Sequence, residues 1–260
     1  GAGPLIITDG IITDGRQHMP MEKSTWVAGA DGCKTGWMVV LRAPSTGAIR
    51  GRVVPSVKAL FLLHETPQII GIDMVIGLPD TAERGGRACD QAARKLLGWP
   101  RSSSVFSPPA RAALQAETYD EALRLNRAHS PSGVGLTKQA FYLFPKLRAV
   151  AEHVTPARQE RVREVHPELA FFAMNTDAPL EDSKHTAGGQ AARKELLATH
   201  GFDAVDALIE EHVGAGVTAP DVLDACAACW TAGRIESSTA RCVPSNPPRN
   251  ARGLRMEIWR

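Results

Sequence analysis

The 260-residue sequence has almost no net charge and no long hydrophobic run. Its 30 Lys and Arg against 28 Asp and Glu give a formal charge of +2, so no global positive field is available to attract nucleic acid. The longest apolar stretch, residues 69–79, is interrupted by Asp73 and is too short to span a bilayer. We therefore expect no membrane partner, and a ligand that is recognised at a local site.

Cysteines are few, and their number is odd. Five cysteines in a chain of this length are typical of a reducing compartment rather than of a disulfide framework. The chain also does not open on a basic segment followed by an apolar one, so no secretory signal is indicated. These features predict a cytoplasmic protein. Cys226 and Cys229 form a CxxC motif without a second such pair, and we interpret them as packing residues of a helix.

The first residues do not follow the pattern of a fold. The pentapeptide IITDG occurs twice in succession, at 6–10 and 11–15. We predict that residues 1–25 are a disordered extension or an expression scar, with Met19 or Met21 as the native start. Residues 26–260 are predicted to form a single domain.

Hydrophobic periodicity in the rest of the chain predicts an α/β fold. Residues 26–30 and 36–41 read as a strand hairpin, and the almost continuously apolar 68–78 reads as a central strand buried on both faces. The order of elements predicts a mixed sheet flanked by helices, with a helical insertion at about 81–160. Further strands are predicted at 50–55, 161–165 and 253–259, and helices at 56–64, 86–98, 110–128, 137–154, 189–200, 203–213 and 218–236.

Several carboxylates occur where an apolar residue or a better helix former is expected. Asp73 lies inside an apolar strand, where an unpaired buried carboxylate costs several kcal/mol, so we favour a functional role. Asp224 is a poor helix former within an alanine-rich helix and is interpreted in the same way. Asp31 ends the first strand, but Asp-Gly is also a hairpin signal, so a turn role stays open. Asp221 shares a helix face with Asp224, but Thr218 and Asp221 also have the spacing of a capping box at the start of the helix.

The segment after the predicted strand 161–165 adds further candidates. Glu164 or Glu168 would complete an acidic cluster, and His166 would orient water or transfer a proton. An all-oxygen cluster suits Mg²⁺ or Mn²⁺ rather than zinc, and two such ions about 4 Å apart hold the attacking and leaving oxygens of a phosphodiester. We predict Asp31, Asp73, Asp224, Glu164 and His166 as catalytic residues, and Asp31, Asp73, Asp221 and Asp224 as metal ligands.

Basic side chains are concentrated in two segments. Residues 83–111 contain six basic and two acidic residues, and residues 234–260 contain six Arg and two Glu. A guanidinium beside hydroxyl groups is suited to binding phosphate, so we predict substrate contacts from Arg101, Ser103, Lys138 and Gln139. A solvated helix face followed by an ordinary loop is the alternative interpretation.

Six segments together resemble the uncharacterised family of predicted RNase H-like nucleases (domain of unknown function 429). The resemblance extends from about Trp26 to Ile258 and implies an RNase H-like α/β sheet with a helical insertion. It also implies that Asp31, Asp73, Asp221 and Asp224 are arranged as the acids of a Holliday-junction resolvase. The segments are GADGCKTGW at 29–37, GIDMVIGLPD at 71–80, RSSSVFSPPAR at 101–111, GLTKQAFYLFPKL at 135–147, EVHPELAF at 164–171 and DVLDACAACWTA at 221–232.

Three functional hypotheses follow. The leading one is a divalent-metal-dependent nuclease that hydrolyses phosphodiester bonds in RNA or DNA through an acidic two-metal site. The second is an ATP-dependent phosphotransferase of the sugar-kinase/actin type, because DGCKT at 31–35 resembles the first phosphate loop of those enzymes. The chain is short for the two sheet domains that such enzymes require. The third is a non-catalytic nucleic-acid-binding protein that retains this fold.

Overall fold

A five-stranded sheet forms the centre of the computed structural model, which describes residues 25–260. The predicted extension at 1–25 therefore lies outside the described residues, except for Thr25. The strands are β1 (Val27–Cys33), β2 (Gly36–Arg42), β3 (Ile49–Val54), β4 (Ile69–Ile72) and β5 (Val162–Glu164).

The sheet is mixed, with the strand order β3-β2-β1-β4-β5. Strands β1, β2 and β3 form an antiparallel meander, whereas β4 runs parallel to β1 and β5 runs parallel to β4. Helices pack on this sheet, so the predicted α/β class is confirmed. Parallel neighbours matter for the site because they bring the carboxyl ends of separate strands to one edge of the sheet.

Strands β1 and β4 end at residues other than those that the sequence predicted. Strand β1 continues through Asp31, which pairs with Met38, and the hairpin turn falls at Lys34 and Thr35. The turn role for Asp31 is therefore wrong. Strand β4 ends at Ile72, although the apolar run continues to 78. Residues 75–78 are buried but do not pair as a strand. The apolar run therefore indicates a buried segment there, not a continuation of the strand.

The chain between β4 and β5 is helical. The predicted helices at 110–128 and 137–154 are each divided, because the chain is extended at Ala116 and a new helix begins at Phe144 with Pro145 in its first turn. The α-helices from β3 to β5 are α1 (Val57–Phe61), α2 (Ala88–Leu97), α3 (Tyr119–Ala128), α4 (Lys138–Tyr142) and α5 (Phe144–His153), with 3-10 turns at Arg101–Ser104, Arg111–Gln115 and Arg158–Glu160.

Four helices and a small strand pair follow β5. The first of them was not predicted, because almost all its residues are buried and it lacks a polar face; Pro167 at its start is compatible with a first helical turn. The predicted strand at 253–259 is reduced to two residues. These elements are α6 (Pro167–Met174), α7 (Ala187–Thr199), α8 (Val205–His212), α9 (Ala219–Glu236), β6 (Cys242–Val243) and β7 (Ile258–Trp259).

Helix α9 lies directly against the backbone of the central strands. A Cβ atom at Gly29 would come within 2.0 Å of the Cys229 nitrogen, and one at Gly71 within 2.6 Å of the Ala228 oxygen. Only glycine permits this approach, and the small residues of α9 complete it. Cys226 and Cys229 are buried free thiols in this contact, as predicted. Among residues 25–260, no helix combines the length and apolar character that a membrane span requires.

Candidate functional site

Asp31 and Asp73 are neighbours across the parallel strands β1 and β4. Ala30 pairs with Ile72, and the Asp73 amide donates to the Ala30 carbonyl at 2.8 Å, so the two aspartates occupy the next positions of the ladder. Because side chains alternate along a strand, both lie on the sheet face of Gly29 and Gly71, which is the face covered by α9. The two carboxyl groups are close enough for the charge of Asp73 to act on Asp31.

Asp224 joins this pair from α9. Its side chain is 1% exposed, and its Oδ2 accepts a hydrogen bond from Lys184 Nζ. Its Oδ1 is buried and has no hydrogen-bond partner among the described residues. Asp31 of β1, Asp73 directly after β4 and Asp224 of α9 are therefore near enough for their charges to act on one another.

The three aspartates bind protons more tightly than free carboxylates do. Burial raises the pKa of Asp31 well above its usual range, and the charges of Asp73 and Asp224 raise it further. Burial also raises the pKa of Asp73, against the opposing charges of His166 and Lys184. For Asp224, burial outweighs the Lys184 ammonium and raises the pKa to about 6. The cluster is thus short of positive charge at neutral pH.

The raised pKa of Asp224 predicts a pH-dependent stability difference between the wild type and Asp224→Asn. The folded state binds this proton more tightly than the unfolded chain, so the stabilisation is complete below about pH 4 and is lost as the pH rises through about 6. We expect the wild type to lose up to about 3 kcal/mol of unfolding free energy relative to the variant between these limits. Urea unfolding at a series of pH values measures it, and a difference that does not change with pH would contradict the prediction.

Glu164, predicted as catalytic, lies on the other face of the sheet from the aspartate pair. It pairs with Ile72 in the ladder, one position before Asp73. Its Oε2 accepts from the Ile76 amide at 2.7 Å and from Arg87 Nη1 at 2.9 Å. Burial raises its pKa to about 7, with Arg87 opposing. Both its oxygens are engaged, so its geometry is that of a structural ion pair at the cavity wall.

Glu168 and His166 lie closer to the aspartates. Glu168 is buried at the start of α6, where Arg193 Nη2 donates to its Oε1 at 2.6 Å, and its charge acts on Asp73 and Asp224. His166 Nε2 lies 3.3 Å from the Ser104 carbonyl oxygen, and its Nδ1 is buried without a partner within residues 25–260. Of the two glutamates left open by the sequence, Glu168 is thus the one that shares the aspartates' surroundings.

Asp221, predicted as a metal ligand, caps α9. Its Oδ2 accepts from the Thr218 amide at 2.7 Å, and the Thr218 side chain caps the helix in return. This is the alternative role that its spacing indicated. Its charge also acts on Asp31, so it lies near the cluster without joining the carboxylates that meet there.

A cavity of about 300 Å³ opens beside the aspartates. Asp31, Asp73, His166, Glu168 and Lys184 line it, and so does Gln139 from the predicted substrate-binding set. A second cavity of about 480 Å³ adjoins it, since Ser104, Phe106, Gln139 and Lys184 line both. The acidic cluster thus faces a groove longer than a single pocket.

The other predicted substrate contacts lie at the edge of this groove or away from it. Ser103 lines the second cavity, but its hydroxyl donates to the Pro100 carbonyl at 2.7 Å. Arg101 Nη1 donates to the Asp182 carbonyl at 3.4 Å. Lys138 is exposed and lies over the Tyr119 ring, 5.9 Å from its centroid. Neither Arg101 nor Lys138 lines either cavity.

Three basic residues at the site were not predicted from the sequence. Lys184 lies in a polar segment without periodicity, and Arg193 lies within α7, so neither carried a signal. Arg193 is fully buried and binds Glu168. Lys146 Nζ donates to the carbonyls of Cys33 and Gly36, at 2.9 and 2.7 Å, and so holds the β1–β2 turn beside Asp31.

The donor chemistry of the cluster fits a hydrated divalent cation. In the part of the chain that the structure describes, no group of three or more His, Cys, Asp or Glu side chains is arranged to hold a metal ion. Mg²⁺ needs fewer protein ligands, because it commonly binds one or two carboxylates and keeps several waters. Asp31 and Asp73 supply two carboxylates beside a roomy cavity, and Asp224 Oδ1 is an oxygen without a partner in residues 25–260. The four-aspartate, two-ion arrangement stays a prediction.

Fold and site together define an α/β protein whose mixed sheet carries an acidic cluster near the ends of two parallel strands. The family model described as "Protein of unknown function (DUF429)" matches residues 29–249, and the chain belongs to this family. The matched region includes Asp31, Asp73 and Asp224. Neither the curated proteins nor the solved structures yielded a match.

Proposed function

We propose that this protein is a divalent-metal-dependent nuclease that hydrolyses phosphodiester bonds in RNA or DNA. The observation that carries the proposal is the meeting of Asp31, Asp73 and Asp224, with raised pKa values, beside an open cavity. Clustered carboxylates that repel one another are stabilised by a cation. The strand order, with an antiparallel meander followed by two parallel strands and a long helix against them, supports an RNase H-like assignment.

In this proposal each residue of the cluster has a distinct task. Asp31 and Asp73 hold Mg²⁺ or Mn²⁺, and Asp224 adds its free oxygen. The metal supplies Lewis-acid polarisation of the phosphate and a water of lowered pKa. His166 lines the cavity, and its neutral imidazole would orient a water there or accept a proton from it.

The length of the groove formed by the two adjoining cavities favours a polymeric substrate. The second cavity continues from the acidic one and offers Gln139, Ser104 and aromatic surface from Phe106. A nucleic-acid strand laid along it would place one phosphodiester at the aspartates while its neighbours contact the polar lining. The near-zero net charge of the chain then implies modest affinity that depends on salt.

The phosphotransferase alternative has less support. Sugar-kinase and actin-type enzymes require two sheet domains, whereas residues 25–260 contain a single five-stranded sheet and one two-stranded pair. Binding of ATP·Mg²⁺ at micromolar concentration, measured by calorimetry, would favour it over the nuclease. A folded protein that binds nucleic acid without turnover would instead support the non-catalytic alternative.

The proposal is tested by incubating the purified full chain with single- and double-stranded RNA and DNA, RNA–DNA hybrids and four-way junctions. We expect cleavage of at least one substrate with Mg²⁺ or Mn²⁺ and none with EDTA. Asp31→Asn, purified in the same way, controls for contaminating nucleases and should be inactive. Asp206→Asn, on the surface of α8, should retain activity. Absence of metal-dependent cleavage across the whole panel would refute the proposal.

A further inference from the structure

Lys184 places a positive charge inside the acidic cluster. It lies in the segment between α6 and α7, and its Nζ donates to Asp224 Oδ2. The charges of Asp73 and Asp31 also act on it. A lysine ammonium therefore occupies the surroundings in which the proposed function requires a metal ion. Two cations that share these carboxylates repel each other, so metal and ammonium compete for Asp224.

Of the two partners, Lys184 is the one that can move. Asp224 is 1% exposed on a helix packed against the sheet, whereas the Lys184 side chain is 34% exposed. The backbone around Lys184 is held, because Arg193 Nη1 donates to the Asp182 carbonyl at 3.1 Å and Gln190 Nε2 donates to the Lys184 carbonyl at 3.2 Å. The flexible four-carbon side chain is then the part that can swing.

The position of Lys184 offers a place for the released ammonium. Its side chain lines both the cavity at the aspartates and the adjoining cavity of about 480 Å³. A rotation of the side chain alone moves the charge from Asp224 towards the groove. An ammonium at that point would meet the phosphate of a strand that enters the site.

We propose that Lys184 is an exchangeable resident cation, which neutralises Asp224 until a divalent metal replaces it and then binds substrate phosphate. The proposal rests on the proposed function and assigns Lys184 a substrate-binding role in it. Asp224 Oδ1, buried without a partner in the described chain, is an acceptor oxygen left available to the incoming metal. The exchange avoids an uncompensated buried carboxylate in either state.

The test is Mn²⁺ binding to the full chain, measured by calorimetry and by the loss of the free-ion electron paramagnetic resonance signal. Lys184→Gln should bind Mn²⁺ at least about tenfold more tightly than the wild type, because the competing charge is gone. Lys184→Arg keeps a cation and should bind no more tightly than the wild type. Lys194→Gln is the matched control: its side chain is also 34% exposed and also pairs with an aspartate, Asp206 at 2.6 Å, and its affinity should not change.

The outcomes separate this inference from the proposed function. Equal Mn²⁺ affinity of wild type and Lys184→Gln overturns the exchange but leaves the metal site. No Mn²⁺ binding by any variant overturns both. If Lys184→Gln does not fold, the exchange is tested in the wild type by chemical acylation. Mass spectrometry measures the acylation rate of Lys184 relative to that of Lys194. Mn²⁺ should then accelerate acylation of Lys184, and an unchanged rate would refute its release.

Discussion

Asp73→Asn is expected to reduce metal-dependent phosphodiester cleavage by at least about a thousandfold while leaving the fold intact. Asparagine keeps the shape of the side chain but removes the anionic oxygen that, with Asp31, is proposed to hold the metal. The fold should persist because the backbone bond from Asp73 to Ala30 does not involve the side chain. A neutral amide also removes charge repulsion from the cluster, so stability should not fall.

The measurement is the initial cleavage rate at saturating Mg²⁺ for variants with matched circular dichroism and thermal melting. Asp80→Asn is the control, since Asp80 follows in the same segment but forms a surface ion pair with Arg111, with 38% and 39% of the side chains exposed. Its rate should stay within about twofold of the wild type, as expected for a surface change remote from the cluster. A folded Asp73→Asn protein with wild-type activity would remove Asp73 from the mechanism.

The second large effect is on stability. Arg87→Met should lower the free energy of unfolding by about 3–5 kcal/mol, because it leaves two buried carboxylates without their cation. Arg87 donates to Asp90 at 2.8 Å, to Glu164 at 2.9 Å and to the Ile76 carbonyl at 2.7 Å, and its own side chain is fully buried. These bonds join α2, β5 and the segment after β4 behind the candidate site.

Urea unfolding at neutral pH measures this loss. Arg111→Met, which breaks a half-exposed pair, should cost less than about 1 kcal/mol. The triple variant Arg87→Met, Asp90→Asn, Glu164→Gln should recover part of the loss, because no charge is then left unpaired. A loss below about 1 kcal/mol for Arg87→Met alone would show that water reaches the carboxylates and that the network is not structural.

Much of the fold was predictable from local pattern. The hairpin of β1 and β2, the helices α2 and α9 and the class of the fold follow from periodicities that span a few residues. Helix α6 was missed because a helix buried on all sides has no periodicity to detect. Strand β4 was predicted too long, because a buried strand and a buried irregular segment both produce a run of apolar residues.

The candidate site also contains residues whose roles were predictable from the sequence and residues whose roles were not. Asp73 and Asp224 were predictable because a carboxylate that is buried among apolar or alanine residues needs a hydrogen-bond or charge partner. The neighbouring residues in the linear sequence are enough to indicate such burial. The role of Glu164 was not predictable from its type. It depends on the register of β4 and β5, since a shift of one position transfers a side chain to the other face of the sheet.

Local sequence pattern establishes that acids lie at the ends of apolar strands and on a small-residue helix, and that their charges need partners. Which of these acids come into contact depends on the folded chain. Glu164 meets Arg87 from 77 residues away, and Lys184 meets Asp224 across 40. Such pairs form because strand register and the close approach of α9 bring distant segments into contact, and neither leaves a local pattern. The near-zero net charge thus conceals acids gathered around one cavity, with basic side chains inserted among them.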